Sequence, residues 1–242
     1  MEFMKKLFII KAGTTFASSL DRFGDFEEWI EARLGQIKVP VQVIDVVKGE
    51  PLPDSAACAG VVVSGSHAMV TQNREWSLKI ERWIPSLLEA EVPYLGICYG
   101  HQLLGRATGG EVGFHPLGRE IGSVEVTLAA EAAGDALFTG LPPGFMAHVI
   151  HAQSVLQLPP GAIRLAWNGH EPNHAFRVGR CAWGVQFHPE FSGEIMRAYI
   201  ESQRSGLEAA GRDVEALEEE VCDTPEAEDV LVNFARYLQG EL

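Results

Sequence analysis

The stretch "VPYLGICYGHQLLG", Val92 to Gly105, decides how the chain is read. Val92 to Ile97 is a short apolar run suited to a buried strand, while Tyr99 to Ala107 holds enough leucine and glutamine to start a helix. Cys98 therefore falls at the joint. Gly96-Ile97-Cys98-Tyr99-Gly100 has the G-x-nucleophile-x-G form of a nucleophile elbow, where flanking glycines let strand, turn and helix pass close together around a strained residue. A thiol at a helix N-terminus feels the positive end of the dipole, which favours the attacking thiolate. A lone cysteine in an apolar run is ordinarily an inert buried one. Glycines on both sides turn the reading toward a nucleophile.

A nucleophile needs a base, and "AWGVQFHPEF", Ala182 to Phe191, offers one. Val185 and Phe187 alternate with Gln186 and His188 at the period of a strand, which Pro189 ends by removing a backbone donor. Extended backbone through Pro189 would point His188 and Glu190 the same way, so that the carboxylate orients the imidazole and stabilises its charged form. Cys98 and His188 are far apart in sequence, so only the fold can bring them together.

Taken together these residues resemble the class I glutamine amidotransferases, glutaminase modules that release ammonia from glutamine, with "GICYGHQ" and "GVQFHPEF" as the two signature motifs. A third block, "GVVVSGS" from Gly60 to Ser66, reads as a buried strand ending in a small-residue turn, where that family places the loop completing its oxyanion hole. "GGEVGFHPLGREIG" and "LPPGA" are typical of the stand-alone, GMP-synthase-like branch, and the resemblance runs from about Leu7 to Phe191. It implies a flavodoxin-like α/β fold and a Cys98–His188–Glu190 triad acting through a γ-glutamyl thioester. The oxyanion would sit on the backbone N–H groups of Gly65 and Tyr99. Gln102 resembles the family glutamine that contacts the amino-acid end of the substrate, and Ser64, Ser66 and His151 are further candidates for lining the site. Where relatives often have His-x-Asp, this chain reads His151-Ala152-Gln153, which loses a carboxylate.

Composition agrees with one α/β domain across residues 1–242. The four cysteines, Cys58, Cys98, Cys181 and Cys222, show no C-x-x-C spacing, which suits a reducing cytoplasm. Leu7 to Ile10 is too short an apolar run for a signal peptide, and no segment reads as membrane-spanning. The net charge of −14 argues against nucleic acid as a partner. Thirteen acids and four bases lie from Phe191 onward, so the charge gathers in an acidic segment of about 192–242. Glu208 to Gln239 reads as two helices separated by Asp223-Thr224-Pro225, with a solvated acidic face.

Along the chain, Leu7–Lys11, Val41–Val47, Gly60–Val63 and Tyr94–Ile97 read as strands separated by amphipathic stretches at Phe23–Leu34 and Glu75–Ala90. Strand, helix, strand implies parallel pairing in an open, mostly parallel sheet. Shorter alternating runs at Ser123–Leu128, Ala162–Trp167, Ala175–Val178 and Trp183–His188 suggest a mixed or antiparallel extension. Sites in such sheets lie beyond the carboxyl ends of the strands, where Cys98, Ser64 to Ser66 and His188 all fall.

"HEPNH", His170 to His174, matches a zinc-protease pattern that requires both histidines on one helix face. Pro172 argues against that helix, since an interior proline costs ~3 kcal/mol, and a loop between strands is expected instead. "AHVIHAQSV" alternates like a strand, which puts His148 and His151 on opposite faces. No metal and no cofactor is expected. Three functions remain open: a glutaminase supplying ammonia to a separate synthetase subunit, ranked first; a self-sufficient γ-glutamyl peptide or conjugate hydrolase; and a non-catalytic binding module. The chain contains neither a Ser-Gly-Gly-type phosphate loop nor a Walker A motif, so an ammonia acceptor would have to be another protein.

Overall fold

In the computed structural model, which describes residues 4–242, the apolar runs become a nine-stranded sheet. Its first strands are β1 (Lys6–Lys11), β2 (Val41–Asp45), β3 (Cys58–Val63) and β4 (Tyr94–Ile97). Later come β6 (Glu120–Leu128), β7 (Gly144–His151), β9 (Ile163–Trp167), β10 (Ala175–Val178) and β11 (Ala182–Val185). The spatial order is β2-β1-β3-β4-β11-β10-β9-β6-β7. The first five strands are parallel, and the pairs from β11 to β7 are antiparallel. This is the open parallel sheet with an antiparallel extension that the patterning implies.

Alternation along β1 shows why the sheet is covered on both faces. Leu7 and Ile9 join one core with Val62, Leu95, Ile97 and Trp183, whereas Phe8 and Ile10 face a second core with Val61, Val63 and Tyr94. The first core is closed by α2 (Phe26–Leu34) and α8 (Pro225–Leu238), the second by α3 (Glu75–Glu89) and α4 (Tyr99–Ala107). A strand buried on both faces must be apolar at nearly every position, as β1 and β3 are.

Several boundaries differ from the sequence reading. The run Phe23–Leu34 begins on the last residue of one helix, α1 (Ala17–Phe23), and the helix proper is α2, because Gly24 has φ +81° and Asp25 then caps α2 in a reciprocal box with Glu28. The run Trp183–His188 leaves the sheet after Val185, and Gln186 and His188 instead donate their backbone N–H groups to His174 and His148. "AHVIHAQSV" breaks at Ala152 into β7 and β8 (Gln153–Gln157), and β8 pairs with β5 (Glu111–Phe114) in a second, two-stranded sheet. The two helices expected in Glu208–Gln239 are the end of α6 (Arg204–Ala209), then α7 (Val214–Glu219), then α8. With α5 (Gly193–Ser202), α6 and α7 form a third apolar cluster around Tyr199, Met196, Leu207 and Leu217 that packs on Trp29 and Phe26. Their acidic surface is also organised: Arg204 pairs with Glu201, Glu208, Glu215 and Glu218, tying three helices to one guanidinium.

No helix among the described residues is long and apolar enough to cross a membrane.

Candidate active site

Cys98 stands between β4 and α4 with φ 47° and ψ −91°, a backbone region that non-glycine residues rarely occupy. The flanking glycines explain how it is held. A Cβ on Gly96 would sit 2.3 Å from the Gly100 backbone, and one on Gly100 would sit 2.5 Å from Val63 O. Only hydrogens fit where strand β4, helix α4 and strand β3 converge. Cys98 is 6% exposed, and its thiol points toward Ile150 O at 3.8 Å. Tyr99 is the first residue of α4, where helix geometry leaves the N–H without an intrahelical acceptor.

His188 follows β11 and is buried. Its Nδ1 meets Glu190 Oε1 at 2.8 Å, and its ring stacks on Phe191 with centroids 4.2 Å apart. Residues 189 and 190 form a turn, so the pair meets through a reversal of the chain rather than along extended backbone; Phe191 N–H closes this turn on His188 O. Burial works against a charged His188 ring, but the Glu190 carboxylate and the sulfur of Cys98 outweigh it and raise its pKa. Nε2 of His188 and Oε2 of Glu190 are buried with no hydrogen-bond partner in the protein, which leaves Nε2 free for a proton transfer.

Gly65 follows β3 and lies against the same ring: a Cβ there would be 2.9 Å from His188 Cε1. Ser66 lines the cleft, and its Oγ accepts from Ala68 N–H. Ser64 does not line it. Its buried hydroxyl accepts from Ala12 N–H and donates to Gly65 O, bracing the turn from behind. Gln102 is buried rather than a surface residue, and its amide donates to Gln153 O at 2.7 Å and to Gln186 Oε1 at 3.1 Å. His151 reaches the cleft, but both its ring nitrogens are engaged, Nε2 with Glu120 Oε2 at 2.9 Å and Nδ1 with Gln153 O at 3.1 Å. It holds the β7–β8 corner in place. His148 turns to the other side of β7, against Ser123 Oγ.

The segment His170 to His174 is a loop between β9 and β10, in which Asn168 Oδ1 accepts from the N–H groups of His170 and Glu171. His174 turns inward toward Glu120, 3.4 Å away, whereas His170 stacks on His115. The two histidines of the zinc-like pattern do not share a helix face.

The cleft, with a cavity volume of about 150 Å³, also has walls that the motifs do not mention: Phe16 and Phe26 from the segment after β1, His67, and Tyr199 and Gln203 from the end of α5. Nothing in the sequence ties α5 to the site. One signal could have located the first segment. Lys11, buried at the end of β1, bridges Asp25 and Glu27 at 2.6 Å each, and a lysine ending an apolar strand needs such partners nearby.

Two buried histidines make a pH prediction. Burial is the main force lowering His101 to about 3 and His148 to about 4, so both are neutral in the fold at ordinary pH. In the unfolded chain they titrate near 6.5, so below that pH the unfolded state binds protons that the folded state refuses and stability falls. His188 has the opposite shift: its folded ring is already charged at pH 7 while the unfolded ring gains its proton through 6.5, so it offsets part of this acid slope. Stability is expected to drop by about 2 kcal/mol or more from pH 7 to pH 5. Thermal melts across that range check it, and an unchanged midpoint contradicts it.

A cysteine at a strand-to-helix elbow beside a histidine–carboxylate pair, on an open α/β sheet, defines a class, the cysteine-nucleophile amidohydrolases. The chain belongs to the glutamine amidotransferase class-I family, whose model matches residues 19–204. It is 37% identical over 139 residues to a GMP synthase [glutamine-hydrolyzing] of Porphyromonas gingivalis, covering 57% of this chain and 26% of that protein. The chain spans between 26% and 32% of the length of three such GMP synthases. It is 28% identical over 200 residues to gamma-glutamyl peptidase 5 of Arabidopsis thaliana, covering 81% of this chain and 78% of that one. A solved glutamine amido transferase from Methylobacillus flagellatus shares the fold, with a TM-score of 0.77 at 23% identity over 99% of this chain and 96% of that one.

Proposed function

We propose that the chain hydrolyses γ-glutamyl amides with Cys98 as nucleophile, His188 as acid and base, and Glu190 as the group that orients it. The observation that carries this reading is the buried His188–Glu190 pair, 2.8 Å apart, whose free Nε2 belongs to a ring held charged partly by the Cys98 sulfur. The Cys98 thiolate adds to the γ-carbonyl carbon, and the oxyanion takes hydrogen bonds from the N–H groups of Gly65 and Tyr99. Imidazolium His188 gives its proton to the departing nitrogen, the C–N bond breaks, and a γ-glutamyl thioester remains. Neutral His188 then takes a proton from water as it attacks the thioester, and glutamate leaves with the thiolate restored. Glu190 keeps the ring aligned and its charged form stable throughout.

The departing nitrogen is ammonia if the substrate is glutamine and an amine if it is a γ-glutamyl conjugate. The sequence ranks the ammonia donor first, and similarity to the glutamine-hydrolyzing GMP synthases favours it, with a separate acceptor enzyme as partner. The conjugate reading is favoured by the match to a γ-glutamyl peptidase over more than three quarters of both chains.

Active-site labelling tests the shared chemistry. A glutamine-like electrophile is expected to modify Cys98, since burial pushes Cys58 up to about 11 and also raises Cys181, leaving both as unreactive thiols. Peptide mapping that finds the label on Cys58, Cys181 or Cys222, with Cys98 unmodified, sinks the assignment.

A further inference from the structure

One wall of the cleft is aromatic, and the thioester chemistry makes no use of it. Phe16 lies 4.2 Å from the His67 ring and 5.1 Å from Tyr199, and His67 and Tyr199 are 5.7 Å apart, centroid to centroid. Tyr199 is in turn 4.8 Å from Phe191, the ring on which His188 stacks. A continuous line of rings thus runs outward from His188. Its inner part is anchored: Tyr199 Oη is 2.6 Å from Thr15 Oγ1, and Thr15 N–H is bound by Asp25, itself paired with Lys11. Desolvation of the ring beside Phe16 and the neighbouring His188 lower the His67 pKa, although His67 as a whole is exposed. The wall beyond Cys98 differs, being made of the amides of Gln102 and Gln153 and the carbonyls of the β7–β8 corner.

One helical turn past Tyr199, Gln203 Oε1 accepts from Arg119 Nη1 at 2.5 Å, which places a guanidinium at the rim of the aromatic wall. Arg119, exposed at the rim, is the one arginine or lysine lining the cleft among the described residues, and no carboxylate among them lines it.

The direction of the chemistry decides which part of a substrate meets these groups. His188 must protonate the departing nitrogen, so whatever that nitrogen carries lies on the His188 side. Ammonia gives the rings of Phe16, His67 and Tyr199 nothing to hold. An amine with an apolar or aromatic body buries it against them, and a carboxylate on that amine meets the planar fork of Arg119.

We propose that Phe16, His67, Tyr199 and Arg119 form a leaving-group subsite, and that the substrates are γ-glutamyl peptides whose second residue is apolar or aromatic. This rests on the thioester reading above and adds the identity of the amine. The test is steady-state hydrolysis by the wild-type protein of glutamine, γ-glutamylglycine, γ-glutamylphenethylamide and γ-glutamylphenylalanine. The last carries both ring and carboxylate and is expected to exceed glutamine in kcat/KM by about tenfold or more, with the two partial analogues between them. Arg119→Met is expected to lower kcat/KM for γ-glutamylphenylalanine about tenfold more than for γ-glutamylphenethylamide, which lacks the carboxylate. Glutamine cleaved as well as or better than γ-glutamylphenylalanine overturns the subsite and leaves the thioester chemistry standing. Equal losses on both substrates in Arg119→Met overturn it too, by assigning Arg119 to the glutamyl end. Turnover of none of the four overturns the hydrolase reading and the subsite with it.

Discussion

Cys98→Ala is expected to lower γ-glutamyl amide hydrolysis by on the order of 10⁴-fold or more, because no other group near the cleft can form the thioester. His188→Ala should cost a comparable factor. The two losses should not multiply in the double variant, since nucleophile and base act in the same step. Glu190→Gln should be milder, roughly 10²- to 10⁴-fold, because an amide oxygen can still accept from Nδ1 but carries no charge to stabilise the imidazolium. The geometry behind this ranking is the 2.8 Å contact inside a turn that Phe191 closes. Glutamate release by the four variants, with thermal melts to confirm folding, decides it. A Cys98→Ala protein that keeps even a tenth of wild-type turnover would place the chemistry elsewhere.

The second large effect is on stability. Gly96→Ala puts a methyl group 2.3 Å from the carbonyl of Gly100 and 2.6 Å from His101 N, and these are backbone atoms with no rotamer to yield. Either β4 or α4 must move, and each is packed between buried neighbours on the parallel sheet. A loss of roughly 3 kcal/mol or more is expected, a large share of the usual 5–15 kcal/mol. Urea denaturation reads it directly. A variant with an unchanged midpoint would show that strand and helix need not approach as closely as they do here.

Much of this was legible before any coordinates. The glycines around Cys98 signalled an elbow because only a close approach of strand and helix needs two of them at that spacing, and the positive φ of Cys98 bears this out. The short β-rich runs at Leu7–Lys11 and Gly60–Val63, separated by amphipathic stretches, predict the parallel half of the sheet. Local pattern failed where tertiary contacts decide. Trp183–His188 keeps its alternation past Val185, yet the last residues turn away to hydrogen-bond His174 and His148, which no window of that segment can reveal. Gln102 reads from the sequence as a residue of the site, but its burial depends on Gln153 and Gln186 far along the chain. The acidic tail looked merely solvated because its thirteen acids against four bases dominate its pattern. Tyr199, Leu207 and Leu217 are spaced too irregularly, across helices too short, to announce a shared core.

The way Tyr199 rests on Thr15 has a consequence for how such a protein can change over time. In the proposed mechanism the reacting groups come from three short motifs between Gly60 and Phe191, whereas Phe16 and Tyr199 of the proposed leaving-group subsite come from segments just before and just after them. Residues 12–26 and 193–203 can therefore drift while the motifs stay fixed. Two chains with identical signatures can then part company in what they cleave, and a comparison confined to the signatures would score them as the same enzyme.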